Sequence, residues 1–183
     1  MDSSGKQLYF VYGVLMHPER MATCCAAPEA VAVARLGGHG LVFHGQSQVW
    51  DGGEEALAPC AGGEVWGVVY ALSALDAQRL DAALGVREDG GGLYFLSPAE
   101  VVDLDGREHS VLLHVRDVLG DPALPSTEYL RVLVEGARLR GLPAAYAAHL
   151  QSLPSRRAAF AVPRQTLFDP LKIAGGDPCA SCG

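Results

Sequence analysis

The sequence predicts an α+β domain with a largely antiparallel sheet, either open or closed. Three observations favour this class: most of the strand-like segments are separated by hairpin-length connections, few helices lie between them, and no βαβ unit repeats. At 183 residues the chain has the length of one domain with a substantial core. Its 49% apolar and 19% charged residues argue against disorder.

Charge and composition restrict the class of partner. The formal net charge is -7, and no run of lysine and arginine offers a footprint for nucleic acid. Residues 1–6 lack the order of a signal peptide, and no apolar run approaches the length of a membrane span. We therefore expect a cytoplasmic protein, a monomer or homodimer, whose partner is a small molecule, with no nucleic acid and no membrane involved. We expect an N-terminal tail at 1–7, a domain at 8–154 and a C-terminal extension at 155–183.

The first element is a buried strand followed by a loop. Residues 9–16 form an unbroken apolar run rich in aromatic and β-branched side chains, and Gly13 permits a tight turn. Pro18 is a favoured first helical residue, which predicts a short helix at 18–25. A loop between strand and helix can direct several backbone N–H groups at a carboxylate or phosphate. Alternatively, Gly13 only turns the chain out of a core strand.

The next segments predict more strands. Residues 30–36 are apolar and lead into two glycines, and residues 41–44 look like the following strand. Residues 46–53 are polar and rich in glycine, which is typical of a loop. Residues 64–72 are apolar at nearly every position, which predicts a strand at the centre of the sheet.

A helix and an acidic loop follow. Ser73 is a suitable cap for a helix with leucines on one side, and Gly85 ends it. The loop at 86–92 contains Glu88 and Asp89 ahead of three glycines. Two adjacent acids in such a loop are most simply solvated, although a functional position stays open.

The second half predicts a hairpin and then two helices. Residues 93–96 are strand-like, Pro98 interrupts them as at an edge or bulge, and residues 109–118 return after an Asp-Gly turn. Ser126 then caps a helix that carries Tyr129 and ends at Gly141, and Pro143 opens a second helix up to 153.

The cysteines and histidines predict no metal site and no cofactor. The five cysteines are scattered: two in a predicted helix, one in a predicted loop and two in a terminal CxxC that supplies half of a zinc site, namely Cys24, Cys25, Cys60, Cys179 and Cys182. The histidine pairs on predicted strands are five residues apart and face opposite sides. A nucleophilic Cys24 or Cys25 beside His17 is a further hypothesis, but nothing in the sequence orients that pair.

Several motifs together resemble the γ-glutamylcyclotransferase family over residues 8–153. The matching segments, in chain order, are 9–15, 65–70, Leu80-Asp81 before Gly85-Val86, Tyr94, and Tyr129 ahead of Gly136-Ala137 and 141–143. The resemblance implies a small mixed, mostly antiparallel β-barrel with flanking helices. It also implies an enzyme that converts γ-glutamyl amino acids or amines into 5-oxoproline and the free amine.

The implied reaction needs no protein nucleophile, because the substrate's own α-amine attacks its side-chain carbonyl. The protein must hold the α-carboxylate, take a proton from the ammonium and donate hydrogen bonds to the developing oxyanion. In the family, a glutamate after the middle helix is the base. By position, the resemblance gives substrate-binding roles to a late tyrosine, Tyr129, and to the first loop, residues Tyr12, Gly13, Val14, Leu15 and Met16.

Two positions depart from the family pattern. Val14 stands where the family has Ser or Thr, and Leu84 stands where it has the catalytic glutamate. Loss of a general base typically costs about 10²–10⁴-fold in rate. Glu88, six residues before Tyr94, is the candidate replacement as catalytic base, and Asp89 with its shorter side chain is second. The alternative is a catalytically inactive protein of the same fold that binds a carboxylated small molecule.

Overall fold

The computed structural model describes residues 5–87, 92–116 and 120–164 of the chain. Within these residues five strands and four helices follow one another, with a short 3₁₀ turn at Val14–Met16 after the first strand. In chain order they are β1 (Gln7–Val11), α1 (Pro18–Cys24), β2 (Glu29–Ser47), β3 (Gly52–Leu72), α2 (Ala74–Ala83), β4 (Tyr94–Asp103), β5 (Glu108–Arg116), α3 (Thr127–Leu139) and α4 (Ala144–Ser152).

The strands form a closed barrel in the order β1-β3-β2-β4-β5. Neighbouring strands are antiparallel except β1 and β5, which close the barrel as a parallel pair at Tyr9 and Leu112. Closure leaves no open edge along the paired segments. The predicted mixed, mostly antiparallel barrel with flanking helices is confirmed.

The long β2–β3 hairpin differs from the sequence prediction. Residues 30–36 and 41–44 belong to one strand of 19 residues, because the glycines between them form a bulge rather than a turn, with Gly38 at φ +73°. Cys60, expected in a loop, lies in the 21-residue β3 and is exposed. Strand pairing uses backbone groups, so a segment of small and polar residues such as 52–63 can pair without an apolar pattern.

Strand β4 is continuous through Pro98, which the sequence suggested would interrupt it. Pro98 lies opposite Leu112 of β5, whereas β4 pairs with β2 only near its end, at Ala34 with Asp103 and Arg35 with Val102. The missing N–H of Pro98 therefore costs little ladder pairing on that side.

Serine caps set the starts of two helices as predicted. The Ser73 hydroxyl accepts from the Asp76 N–H at 3.1 Å, and the Ser126 hydroxyl accepts from the Tyr129 N–H at 3.2 Å. The Ser126 cap matters for the site, because it fixes the first turn of α3 and with it the direction of the Tyr129 side chain.

Two apolar clusters stabilise the domain. One includes Phe10, Tyr12, Val69 and Leu113, and the other joins β1 and β3 to the helices through residues such as Tyr9 and Leu133. Phe10 and Tyr9 are neighbours in β1 that enter different clusters, as the alternation of a strand requires. Among the described residues, each helix is too short or too polar to cross a membrane.

Asp51 fastens the segment 155–164 to the barrel. Its carboxylate accepts from the Arg156 guanidinium at 3.1 and 3.2 Å and from the Ala159 N–H at 2.6 Å. Hydrogen bonds from Arg156 and then from Ala159 lower the pKa of Asp51. The carboxylate therefore favours the folded state above its unfolded pKa, and this contribution is lost as the pH falls through the folded pKa.

We expect Asp51→Asn to lower the unfolding midpoint near neutral pH, because the amide cannot form the ion pair with Arg156. The difference from wild type should shrink as the pH falls below the usual range for aspartate. Thermal unfolding of both proteins across that range measures the effect. A difference that stays constant with pH would show that the charge of Asp51 is not responsible.

Candidate active site

A cavity lies where β1 ends and the chain turns toward α1. Residues 12–16, which we call the donor loop, lie at this turn, and residues 12–15 form one wall of the cavity. The cavity has a volume of about 60 Å³, enough for several water molecules or a small polar head group. Its lining comes from five parts of the chain and comprises Phe10, Val11, Tyr12, Gly13, Val14, Leu15, Glu55, Leu84, Tyr94 and His114.

The donor loop holds its backbone through its own 3₁₀ turn. The Met16 N–H donates to the Gly13 carbonyl at 2.9 Å, and the His17 N–H donates to the Val14 carbonyl at 3.1 Å. The first N–H groups of a helical turn have no partner within it. The N–H groups of Val14 and Leu15 are thus free of the turn's own hydrogen bonds. The Val14 N–H donates to the Glu55 carboxylate, and the Leu15 N–H is suited to an anionic oxygen of a ligand.

The carboxyl group of Glu55 lies directly against this loop. Glu55 comes from β3, in the part of the strand that pairs with Phe43 of β2. A Cβ atom at Gly13 would lie only 2.7 Å from the carboxyl carbon of Glu55, so the glycine makes room for the acid. The Tyr129 hydroxyl donates a hydrogen bond to the other carboxyl oxygen. A glycine, a tyrosine and the β2–β3 hairpin together fix this carboxyl group.

Burial raises the pKa of Glu55 to about 7, from an ordinary value of 4.5. The backbone N–H groups of Glu55 itself and of Val14 donate to the carboxylate and lower its pKa, as does the positive charge of Arg116. The negative charge of Glu54 adds to the rise. A carboxyl group with a pKa near neutrality exists in both protonation states at physiological pH. That is the property a general base needs.

Leu84 lies on the same cavity wall and is apolar. The position after α2 therefore holds no proton acceptor, whereas Glu55 introduces one from β3. Burial and then the negative charge of Glu55 raise the pKa of Tyr12, whose hydroxyl donates to the His114 carbonyl at 2.8 Å. Glu55 is thus the one carboxyl group among the described residues that line the cavity, and Tyr12 keeps its proton.

Arg116 is partly buried next to these groups. Its guanidinium lies over the Tyr94 ring at 5.5 Å, and its Nη1 atom is 3.0 Å from a carboxyl oxygen of Glu54. The contact of Nη1 with Glu54 has the distance of an ion pair without the alignment of a hydrogen bond. Nη1 and Nε therefore both lack a hydrogen-bond partner among the described residues. Arg116 supplies positive charge near Glu55 and opposes the effect of burial on its pKa.

The structure brings most of the sequence-predicted site residues together. Tyr12, Gly13, Val14 and Leu15 line the cavity, and Tyr129 reaches it through Glu55. The Met16 side chain instead lies in the core, fully buried. The proposed bases Glu88 and Asp89 lie outside the described residues, as do Cys179 and Cys182.

Sequence reasoning missed Glu55. The polar, glycine-rich residues 46–53 predict a loop, but 46–47 end β2 and 52–53 begin β3, so the two acids that follow lie in a strand that this pattern does not predict. The segment Glu54-Glu55-Ala56-Leu57 does not alternate polar with apolar residues, so no sequence pattern indicates the face on which Glu55 lies.

Burial argues against Cys25 as a nucleophile. Both Cys24 and Cys25 are buried, and burial raises the pKa of the Cys25 thiol to about 12. A thiol with such a pKa forms little thiolate at neutral pH. Within the described ranges, no group of three or more His, Cys, Asp or Glu side chains is arranged to hold a metal ion.

We expect Tyr129→Phe to shift the acid limb of any activity that depends on ionised Glu55 to higher pH. The hydroxyl donates to the carboxylate and favours its charged form, so its loss raises the pKa of Glu55. A charge-assisted hydrogen bond of about 1.5 kcal/mol corresponds to a shift of about one pH unit. A pH–rate profile measures this, with Tyr146→Phe on α4 as the control. An unchanged profile in Tyr129→Phe would contradict the assignment.

Comparison with known proteins groups the chain with one set of relatives. A model of the AIG2-like family matches residues 64–150. The gamma-glutamylcyclotransferases of Homo sapiens and Mus musculus are each 30% identical over 150 residues, which cover 80% of this chain and 78% of each relative. A solved structure described as a gamma-glutamyl cyclotransferase superposes with a TM-score of 0.80 at 26% identity and covers 92% of this chain and 97% of its own.

Proposed function

The chain belongs to the γ-glutamylcyclotransferase family, and from that premise we propose that it converts γ-glutamyl amino acids or amines to 5-oxoproline and the free amine, with Glu55 as the base. The α-amine of the γ-glutamyl group attacks its own γ-carbonyl carbon, and the bond to the leaving nitrogen breaks. In this proposal the protein acts in the cytoplasm, as a monomer or homodimer, on a small-molecule substrate and without a cofactor.

Each part of the site has a role in this reaction. The donor loop holds the anionic groups of the substrate through backbone N–H groups. Glu55 takes a proton from the α-ammonium, because an ammonium nitrogen has no lone pair with which to attack. Tyr129 orients the carboxylate of Glu55 through its hydroxyl. The apolar surfaces of Leu84 and Leu15 help to exclude water, which strengthens these polar interactions.

One observation carries the proposal: the carboxyl group of Glu55 lies against Gly13, at the cavity where Leu84 offers no base. The raised pKa of Glu55 matches the task, because a base with a pKa of about 7 is both ionised and basic near neutral pH. Glu88 remains the candidate inferred from the sequence, and its variant serves as the comparison.

The direct experiment incubates the purified protein with γ-glutamyl amino acids and γ-glutamyl alkylamides and measures 5-oxoproline. We expect turnover of at least one member of the panel. A thermal shift with these compounds but no 5-oxoproline would favour the binding protein over the enzyme, since a ligand that binds the native state stabilises it. No shift and no product would contradict both.

A further inference from the structure

A second titratable group lines the same cavity and has no role in the proposal above. His114 lies on β5, is 5% exposed and is one of the residues that line the cavity. Its Nε2 atom is 2.8 Å from a carboxyl oxygen of Asp81 on α2. The two residues form a His–Asp pair that enters the cavity from β5, whereas Glu55 enters it from β3.

The imidazole ring is held in one orientation. The Tyr9 ring stacks on it with a centroid separation of 5.7 Å and an interplanar angle of 24°. The backbone carbonyl of His114 accepts from the Tyr12 hydroxyl, which ties β5 to the end of β1. Because an ionised carboxylate can only accept, Nε2 donates to Asp81 and Nδ1 is left as the nitrogen that can exchange a proton. The Asp81 carboxylate at Nε2 also stabilises the imidazolium form of the ring.

The reaction needs more than one proton transfer. After Glu55 takes the first proton, the neutral amine attacks and its nitrogen becomes cationic in the tetrahedral intermediate. That nitrogen must lose a second proton, and the leaving nitrogen must gain one before the carbon–nitrogen bond breaks. Both nitrogens are attached to the same carbon, so one correctly placed group can serve both.

We propose that His114, held by Asp81, carries this proton from the attacking nitrogen to the leaving nitrogen. Neutral His114 accepts the proton at Nδ1 as the new carbon–nitrogen bond forms, and it returns the proton as the amide bond breaks. At the end the histidine is neutral, and the leaving nitrogen has gained the one proton that lets it depart as a neutral amine. Glu55 then returns the first proton to that amine or to water. His114 is the catalytic residue in this step and Asp81 is a positioning residue. The inference rests on the proposed cyclotransferase reaction.

The test uses leaving groups of different quality. A γ-glutamyl alkylamide must be protonated before its amine departs, whereas p-nitroaniline departs with little proton assistance. We expect His114→Gln to lower kcat/KM by about 10²-fold or more for the alkylamide and by less than about 10-fold for γ-glutamyl-p-nitroanilide. The glutamine amide can still donate to Asp81, so the contact between β5 and α2 is retained.

The chain supplies a matched control. His109 is also on β5, and its Nε2 atom is also 2.8 Å from an aspartate, Asp103, but this pair does not line the cavity. His109→Gln should change neither substrate's kinetics. If His114→Gln fails to fold, Asp81→Asn decides in the same assay, because it keeps a hydrogen bond but loses the charge that stabilises the imidazolium. It should also impair the alkylamide more than the anilide.

The outcomes separate this inference from the proposed function. If wild type forms 5-oxoproline from both substrates and the variants lose both equally, or lose neither, His114 is structural and the inference is wrong. If wild type forms 5-oxoproline from neither substrate, the proposed function is wrong, and the role of His114 that depends on it is wrong as well.

Discussion

Glu55→Gln is expected to reduce 5-oxoproline formation by about 10²–10⁴-fold, the range typical for the loss of a general base. The amide has nearly the shape of the carboxyl group and still accepts from Tyr129, so the donor loop and α3 keep their contacts. What disappears is the ability to take a proton from the α-ammonium. Steady-state kinetics with a γ-glutamyl amino acid measures the loss, which should appear with good and poor leaving groups alike.

Stability provides an internal check on this variant. The pKa of Glu55 is raised in the folded protein, so the folded state binds more protons than the unfolded state between about pH 4.5 and 7. Stability therefore falls as the pH rises through that window, and Glu55→Gln should be more stable than wild type above pH 7, by up to about 3 kcal/mol. Inactive protein that is at least as stable as wild type cannot owe its inactivity to unfolding.

Two glutamine variants serve as comparisons. Glu54→Gln changes the neighbouring acid in β3, which pairs with Arg116, and should alter the rate by less than about 10-fold. Glu88→Gln tests the base inferred from the sequence. Full activity in Glu55→Gln together with a large loss in Glu88→Gln would show that Glu88, and not Glu55, is the catalytic base.

Gly13→Ala is expected to reduce 5-oxoproline formation by a similar factor, about 10²–10⁴-fold. Gly13 has an extended backbone that alanine adopts without strain, at φ -102° and ψ -160°. The obstacle is the space: the new methyl group would overlap the carboxyl group of Glu55. The acid would have to move away from Tyr129 and Val14, and the cavity would lose room for the substrate.

A double-mutant cycle separates this clash from other effects of the methyl group. Because the displaced carboxyl group is the end of a flexible side chain, we expect Gly13→Ala to cost only about 1 kcal/mol of stability in wild type and less than about 0.5 kcal/mol in a Glu55→Ala background. Gly37→Ala on β2, where nothing lies within 4 Å of the new Cβ, is the control. An equal cost in both backgrounds would show that Glu55 does not lie against Gly13.

The sequence predicted the architecture because its signals are local. Ser73 and Ser126 mark helix starts, the Asp-Gly pair at 105–106 marks the β4–β5 hairpin, and the apolar run at 64–72 marks a central strand. Each of these depends on backbone chemistry within a few residues. Closure of the barrel by the parallel β1–β5 contact has no local signal, and it came from the resemblance to a family.

The site could be predicted only in part. The donor loop follows from a glycine between a strand and a helix, whereas the role of Tyr129 came only from the resemblance to a family. Glu55 could not be found this way, because its direction depends on the register of a long hairpin whose residues 52–63 are small and polar. A one-residue change in that register would turn Glu55 away from Gly13. Such information lies in the pairing of β2 with β3 and not in either segment alone.

Chemical rescue tests the central claim, that the carboxylate of Glu55 replaces the missing base, most directly. Glu55→Ala leaves space beside Gly13 and Tyr129 for a small carboxylate. We predict that formate restores 5-oxoproline formation by Glu55→Ala in a saturable way and has no effect on Glu55→Gln, whose amide fills the same space. A folded Glu55→Ala protein that is as active as wild type without formate, or inactive and unaffected by it, would contradict the account.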